Sequence, residues 1–262
     1  MNKHPEMTMR ASDGSVVKLE CHDALPSTSR LAKHYAKLGY PDRYVVFAEG
    51  TRKLDADGRP RGDVEHGIFM SCILRPSIFP SQASLISSLS AVAMTAALEE
   101  HTTRKIGIGW VSKIYCDGKV IGGSTIEGKL DNFTSYEYII INFSITLSEE
   151  NFPPRLNDLI RKVFESESIS IPVIIAKNIL NKFFTYYSNL KNNAKFMDIY
   201  RQKFILRGQK VKYLNESGKR ETCKVLGINT EDCSLMVENS NKKVVYISTP
   251  NRVTIPKKIS IK

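Results

Sequence analysis

The sequence predicts an α+β fold: a mixed or antiparallel sheet with flanking helices over residues 1–203, followed by a small SH3-like β-barrel over residues 204–262. Three observations lead there. Short β-branched and aromatic runs follow one another from Lys105 to Leu147, separated by turns and not by helices. Apolar residues at helical spacing occur before and after that meander, not between its strands. Beyond Arg207-Gly208, four or five short alternating strands fall within the last 55 residues or so, which suits a small barrel.

Each element has its own reason. Thr28 to Leu38 reads as a helix after Pro26, with Leu31, Tyr35 and Leu38 on one face and Ser27 or Thr28 as cap. Tyr44 to Ala48 is a strand. Glu49 to Gly67, crowded with Gly, Pro and charge of both signs, reads as a long mobile loop. Ile68 to Leu74 is the next strand, closed by Arg75-Pro76. Ser84 to Leu98 carries Leu85, Leu89, Val92 and Ala96 at helical spacing. Lys105 to Trp110 and Ser112 to Cys116 are strands, Asp117-Gly118 is a hairpin turn, and Ser124 to Leu130 and Glu137 to Leu147 continue the sheet. Leu156, Leu159, Ile160 and Val163 define one helix. A longer one runs from about Val173 to Lys203, with Ile179, Leu180, Phe183, Phe184, Tyr187 and Leu190 inward. Lys210 to Leu214, Thr222 to Gly227, Cys233 to Glu238 and Val244 to Ser248 are the strands of the second unit, and the boundary falls near Phe204.

Composition excludes several classes. Hydrophobic residues make up 42% of the 262 and charged ones 25%, as in an ordinary globular chain. No apolar run approaches the roughly 20 residues of a membrane-spanning helix, and MNKHPEMTMR is not followed by the apolar stretch of a cleaved signal peptide. Five cysteines (Cys21, Cys72, Cys116, Cys223, Cys233) include no C-x-x-C pair, so neither a disulfide framework nor a zinc site is expected, and a reduced cytoplasm is the expected setting. The five histidines are scattered, and no metal-ligating set is expected; His66, beside the charged loop, is the one to watch. Net charge is +11: residues 1–150 hold 17 basic against 18 acidic side chains, residues 151–203 hold 9 against 4, and residues 204–262 hold 12 against 5. All the excess lies in the last 112 residues, which points either to an acidic partner or to a solvated lysine-rich surface. Nucleic acid is the weaker alternative for that partner, because Tyr213 and Tyr246 read more economically as sheet residues than as stacking groups.

The chain resembles the biotin protein ligases of the short type that lack a DNA-binding domain. Asp117-Gly118-Lys119-Val120-Ile121-Gly122-Gly123 running into Ile126-Glu127-Gly128-Lys129-Leu130 is similar to the family's hairpin NGKKIGGILIEG. Ser27-Thr28-Ser29 heads the first helix where the family has Ser-Thr-Asn. Ile68 to Pro76 (IFMSCILRP) matches GLYLSLLLRP, and the stretch from Tyr200 to Glu238 resembles the family's SH3-like domain. The resemblance covers nearly the whole chain. It implies a class II synthetase-like biotin/lipoate ligase fold and a ligase that converts biotin and ATP, with Mg²⁺, to biotinyl-5'-AMP. The biotinyl group then passes to a lysine of a carboxyl-carrier acceptor domain, for which an acidic character would suit the basic tail, and a homodimer formed through the sheet is compatible with the resemblance.

The ligand-facing motifs depart from the family. Its Gly-Arg-Gly-Arg-Arg-Gly-Arg loop becomes Gly58-Arg59-Pro60-Arg61-Gly62, either a modified phosphate lid or a solvated loop. Lys-Trp-Pro-Asn-Asp becomes Gly109-Trp110-Val111-Ser112-Lys113, so a cation replaces the acid. The family's catalytic lysine falls on Val120. Lys119 could take its part only if the Asp117-Gly118 turn shifts the register, since one residue reverses the face of a strand. Gly-Ile-Gly-Ile-Asn becomes Asn142-Phe143-Ser144-Ile145-Thr146, which would narrow the pocket. The resemblance thus implies Ser27, Thr28, Ser29, Gly122 and Gly123 for the acid, Arg59, Arg61 and Trp110 for the nucleotide, and Arg59, Arg61 and Lys119 for catalysis, with no protein-held metal. Two other readings stay open: a ligase-fold binding protein with weakened or lost chemistry, or a ligase for another acyl acid such as lipoate.

Overall fold

Burial alternates along the strands and sorts the apolar residues onto two faces of one large sheet. The computed structural model describes residues 6–55, 57, 60–131, 135–146, 170–190, 192–256 and 259. In chain order the first unit holds β1 (Glu6–Arg10), β2 (Val16–His22), α1 (Thr28–Lys37), β3 (Tyr44–Leu54), β4 (Pro60–Leu74), α2 (Ala83–Glu99), β5 (Ile106–Ile108), β6 (Lys113–Cys116), β7 (Lys119–Asp131) and β8 (Ser135–Thr146), then α3 (Ile171–Tyr187) and α4 (Ala194–Lys203). The eight strands lie in the order β1-β2-β3-β4-β8-β7-β6-β5. Every neighbouring pair is antiparallel except β2 and β3, which α1 joins as a parallel crossover, so the sheet is mixed. None of the described helices is long and apolar enough to cross a membrane.

One face carries the main core. Ile68, Met70, Cys72 and Leu74 of β4 and Ile139, Ile141, Phe143 and Ile145 of β8 share it with α2 and α3. The opposite face is covered only in part: α1 lays Ala32 and Ala36 on Tyr44, Val46, Ile73, Tyr138 and Ile140. Small residues at those two positions let the helix sit close to the strands. Leu38, expected on that apolar face, is the C-cap and 63% exposed.

Four sequence expectations need correction or completion. The stretch from Glu49 to Gly67 is a β-hairpin, with β3 and β4 continuing outward to the pair Leu54–Pro60. Its charged composition hid β-branched Thr51 and Val64, and Gly50 leaves room for Val64, whose Cγ1 lies where a Cβ would stand. The long helix from Val173 is two helices. Ser170 caps the first through its hydroxyl, Pro172 sits in its first turn, and the chain turns at Ser188–Leu190 before α4. Ser188, Asn189, Asn192 and Asn193 are side chains that compete with helical backbone bonds. Strands β1, at the sheet edge, and β2 beside it have no counterpart among the expected elements, because Lys18, Glu20 and His22 mask the alternation of buried Val17 and Leu19. The helix expected around Leu156 to Val163 lies outside the described residues.

The last unit is a five-stranded antiparallel sheet in the order β12-β11-β10-β9-β13, built from β9 (Lys210–Leu214), β10 (Arg220–Ile228), β11 (Leu235–Glu238), β12 (Val244–Ile247) and β13 (Val253–Thr254). It is tied to the first unit through Trp110, whose indole Nε1 donates to the Cys233 carbonyl at 2.9 Å, while Ser88 of α2 donates to the Cys233 sulfur.

Close strand approach supplies a test. A Cβ on Gly122 would stand 2.1 Å from the Ser144 carbonyl oxygen, which is backbone and cannot swing away. Gly122→Ala is therefore expected to lower stability by about 1–3 kcal/mol, read as a lower urea midpoint at unchanged slope. An unchanged midpoint would show that the strands separate at no cost.

Candidate active site

The N-terminus of α1 is built over the uncovered face of the sheet. Ser27 is extended and its Oγ accepts from the Arg30 amide at 3.1 Å, which starts the helix. No acidic residue occupies the first turn, whereas His34 and Lys37 lie in the last, so the positive end of the helix dipole has no charged partner of its own in that turn. Thr28 Oγ1 lies 2.8 Å from Ser71 Oγ, and Ser71 Oγ donates to Asn142 Oδ1 at 2.7 Å. A serine hydroxyl has one proton, so Thr28 is the donor to Ser71. Asn142 Nδ2 then donates to Glu127 Oε1 at 3.2 Å and to Thr125 Oγ1 at 3.3 Å. The acceptor-only carboxylate fixes which way the Asn142 amide points. Ser29 Oγ also donates to Glu127 Oε1, and Lys33 Nζ lies 2.5 Å from Glu127 Oε2. The lysine and these hydrogen bonds hold the Glu127 carboxyl below its usual range.

Strand register places a second row beside this network. Across β2, β3, β4, β8, β7 and β6, the paired residues His22, Ala48, Phe69, Ser144, Gly123 and Lys113 lie side by side on the α1 face. Ser144 and Lys113 are exposed, and Phe69 and Gly123 half-buried, so the row is an open strip of sheet next to the helix N-terminus. At its β2 end it is closed by buried His22 and Glu20, which are 2.8 Å apart. Tyr44 and Tyr35 also donate to Glu20, at 2.9 and 3.2 Å. Burial, with Glu20 alongside, pushes the Tyr35 hydroxyl up to about 12. A cavity of about 500 Å³ lies against the first turns of α1, lined by Leu25, Pro26, Ser27, Arg30, Leu31 and His34. That volume is within the usual range for small-molecule sites.

Of the residues singled out in the sequence, Ser27, Thr28 and Ser29 stand together at the head of α1, and Gly123 lies on the open row. Gly122 and Gly123 both allow close approach: a Cβ on Gly123 would meet the Ser112 carbonyl oxygen at 2.7 Å. Lys119 is not brought to this face. The pairs Ile114–Gly122 and Tyr115–Val120 leave Ile121 as an extra residue, a β-bulge. Lys113 and Tyr115 share a face, so their partners Gly123 and Val120 share it too, while Lys119 pairs with Cys116 on the other. Trp110 is 3% exposed and sits in the junction with the second sheet instead of beside the open row. Arg59 lies outside the described residues, and Arg61 belongs to β4, opposite Lys53 on the hairpin. Ser71, Thr125, Glu127 and Lys33 were not identified from sequence. The available signal was Ser71, a lone polar residue in the apolar run IFMSCIL.

The described residues offer no all-protein cage for Mg²⁺, an ion that in nucleotide sites is held largely by substrate phosphates and water. Among the described residues no group of three or more His, Cys, Asp or Glu side chains could hold a metal. Position 113 is a lysine, and Glu127 is engaged by Lys33, Ser29 and Asn142.

No protein-family model matches the chain. It is 28% identical over 143 residues to the "Bifunctional ligase/repressor BirA" of Bacillus subtilis (strain 168), covering 53% of this chain and 43% of that protein. It is 27% identical over 142 residues to the protein of the same name from Bacillus spizizenii, again over 43% of the relative. The matched stretch thus spans less than half the length of these curated relatives. Among solved structures, the apo biotin protein ligase of Aquifex aeolicus superposes with a TM-score of 0.64 at 16% identity, over 90% of this chain and 97% of that one. The same ligase with biotin and ATP gives 0.60 at 19% identity, over 90% and 97%. A biotin protein ligase-like protein of unknown function from Silicibacter gives 0.62 at 14%, over 88% and 94%.

The Glu127 network has a pH signature. Its carboxylate stabilises the fold above the ordinary 4.5, and that contribution is lost as the pH falls through the lowered folded value. Because the Lys33 and Glu127 side chains are 41% and 43% exposed, Glu127→Gln is expected to cost only about 0.2–1 kcal/mol at pH 7 and less as the pH falls below 4.5, by urea titration across that range. A cost that stayed constant on acidification would assign the effect to something other than this charge. With that geometry and these likenesses together, the chain has the biotin protein ligase fold.

Proposed function

We propose that this chain activates biotin with ATP to biotinyl-5'-AMP and transfers the biotinyl group to a lysine of a carboxyl-carrier domain. The observation that carries the reading is the juxtaposition of the α1 N-terminus and its Thr28–Ser71–Asn142–Glu127 hydrogen-bond chain with the open strip Phe69–Ser144–Gly123. The matched relatives and superposed ligases support it from outside the chain.

In this reading the hydroxyls of Ser27, Thr28 and Ser29 and the first-turn amides of α1 orient the acid's polar head. Leu25, Pro26 and Leu31 offer the adjacent apolar wall. A carboxylate oxygen attacks the α-phosphorus of ATP and pyrophosphate leaves; the acceptor amine then attacks the acyl carbon and AMP leaves. Arg59 and Arg61 close over the adenylate and limit its hydrolysis, and Trp110 supports the nucleotide side from the junction with the second sheet. The C-terminal sheet acts as an SH3-like accessory unit, and its basic surface docks an acidic acceptor domain in the cytoplasm. A homodimer through the sheet is part of the same reading.

One observation favours a second reading, a ligase for another acid such as lipoate. Asn142 stands where the resembling family has glycine, and its amide is tied into the floor by Ser71 and Glu127. ATP–pyrophosphate exchange with biotin and with lipoate, followed by label transfer to a purified carrier domain, tests both. Biotin-dependent exchange and a labelled lysine are expected; exchange with lipoate alone would move the assignment, and exchange with neither would end the ligase reading.

A further inference from the structure

Resting on the ligase reading, we infer that Lys113 supplies the cation that faces the α-phosphate during adenylate formation, in place of Lys119. The argument is one of register. Gly123 lies on the open row with Ser144 and Phe69, and its partner across β6 is Lys113. Two residues along β6, Tyr115 pairs with Val120, so Lys113, Gly123 and Val120 share the face on which the acid and nucleotide meet. The bulge at Ile121 turns Lys119 to the far side with Cys116.

Charge points the same way. Lys33, the other lysine near this site, is held by Glu127. Lys113 is exposed, and none of the ion pairs found among the described residues involves it. In the resembling family an acid occupies this position and a lysine occupies that of Val120. Here the lysine and the acid are both absent from those positions, and a lysine stands at 113 on the same face. Charge builds on the phosphate oxygens in this step, and a side-chain cation on the same face as Gly123 is placed to meet it. In the step itself the carboxylate oxygen bonds to the α-phosphorus, the bond to the pyrophosphate oxygen breaks, and Lys113 stays an ammonium throughout. No proton changes hands.

The test is ATP–pyrophosphate exchange with biotin, or with lipoate where that is the acid used. Lys113→Ala is expected to lower kcat by about 100-fold or more with KM for the acid changed less than about threefold. Lys113→Arg should retain activity within about tenfold, and Lys119→Ala within about twofold of wild type. Lys113→Asp should be at least as impaired as Lys113→Ala, and adding Val120→Lys should recover at least tenfold, because positions 113 and 120 share the face. All variants are at exposed positions and should keep the wild-type urea midpoint within experimental scatter. Wild-type exchange with an undiminished Lys113→Ala overturns this inference and leaves the ligase reading standing. No wild-type exchange with either acid overturns both.

Discussion

The approach of β7 to its two neighbours is closer than any side chain at positions 122 and 123 would allow, and the geometry of the site depends on it. A Cβ at 122 would strike the Ser144 carbonyl of β8, and one at 123 the Ser112 carbonyl just before β6. With both absent, three strands lie tightly enough for Ser144, Gly123 and Lys113 to form one level strip. The extra length beside the turn is taken up as a bulge, and Ile121 turns into the core at 2% exposure while Val120 remains 43% exposed. A steric requirement at two glycines thus decides which charged side chain lies on the open strip.

The second sheet supports the same strip from behind. Tyr200 of α4 donates toward the carbonyls of Gly109 and Val111, at 3.1 and 2.8 Å. Trp110 is anchored to Cys233, and Ser112 Oγ donates to the Ser124 carbonyl at 2.7 Å. Four consecutive residues before Lys113 are therefore held by α4, the C-terminal sheet and β7. Trp110, which the resemblance implied for the nucleotide, is buried in the junction with the second sheet and fixes the segment leading into Lys113. On the far side of the strip, Glu127 gathers Ser29, Lys33 and Asn142 and so ties the head of α1 to β7 and β8. The two faces of the site are thereby set by different elements, a helix cap on one side and an interdomain junction on the other.

Much of this was legible in the sequence, and the rest failed for identifiable reasons. The meander was readable because its turns are local: Asp117-Gly118 takes φ values of 47° and 80°, as an Asp-Gly hairpin turn requires. The head of α1 was readable from Pro26 and Ser27. The hairpin of β3 and β4 was not, since Arg52, Asp63 and Glu65 are exposed and only pairing across the strands shows it to be sheet. The face of Lys119 was hidden for a similar reason: a bulge adds one residue without any composition signal, and one residue is enough to reverse a face. Ser71 and Glu127 acquire their roles from residues 43 and 98 positions away in Thr28 and Ser29, a coupling that no local window contains.

The charge distribution separates long-range from local electrostatics. Residues 1–150, which hold every residue of the described site, are close to neutral, and the residues beyond them carry a surplus of +12. At physiological ionic strength a field decays over about 8 Å. In the proposed reading, charge on the exposed strands of the second sheet, such as Lys210, Lys212 and Lys224, would steer an approaching acidic acceptor but do little for a phosphate on the strip. The activation proposed for the strip needs a cation within contact distance, and Lys113 lies on that strip beside Gly123. A chain could then keep or lose its basic tail without changing adenylate formation, and lose adenylate formation without changing how it meets an acceptor. The two half-reactions proposed for this site are served by charges in separate parts of the molecule, and on these grounds salt should weaken acceptor transfer far more than it weakens activation.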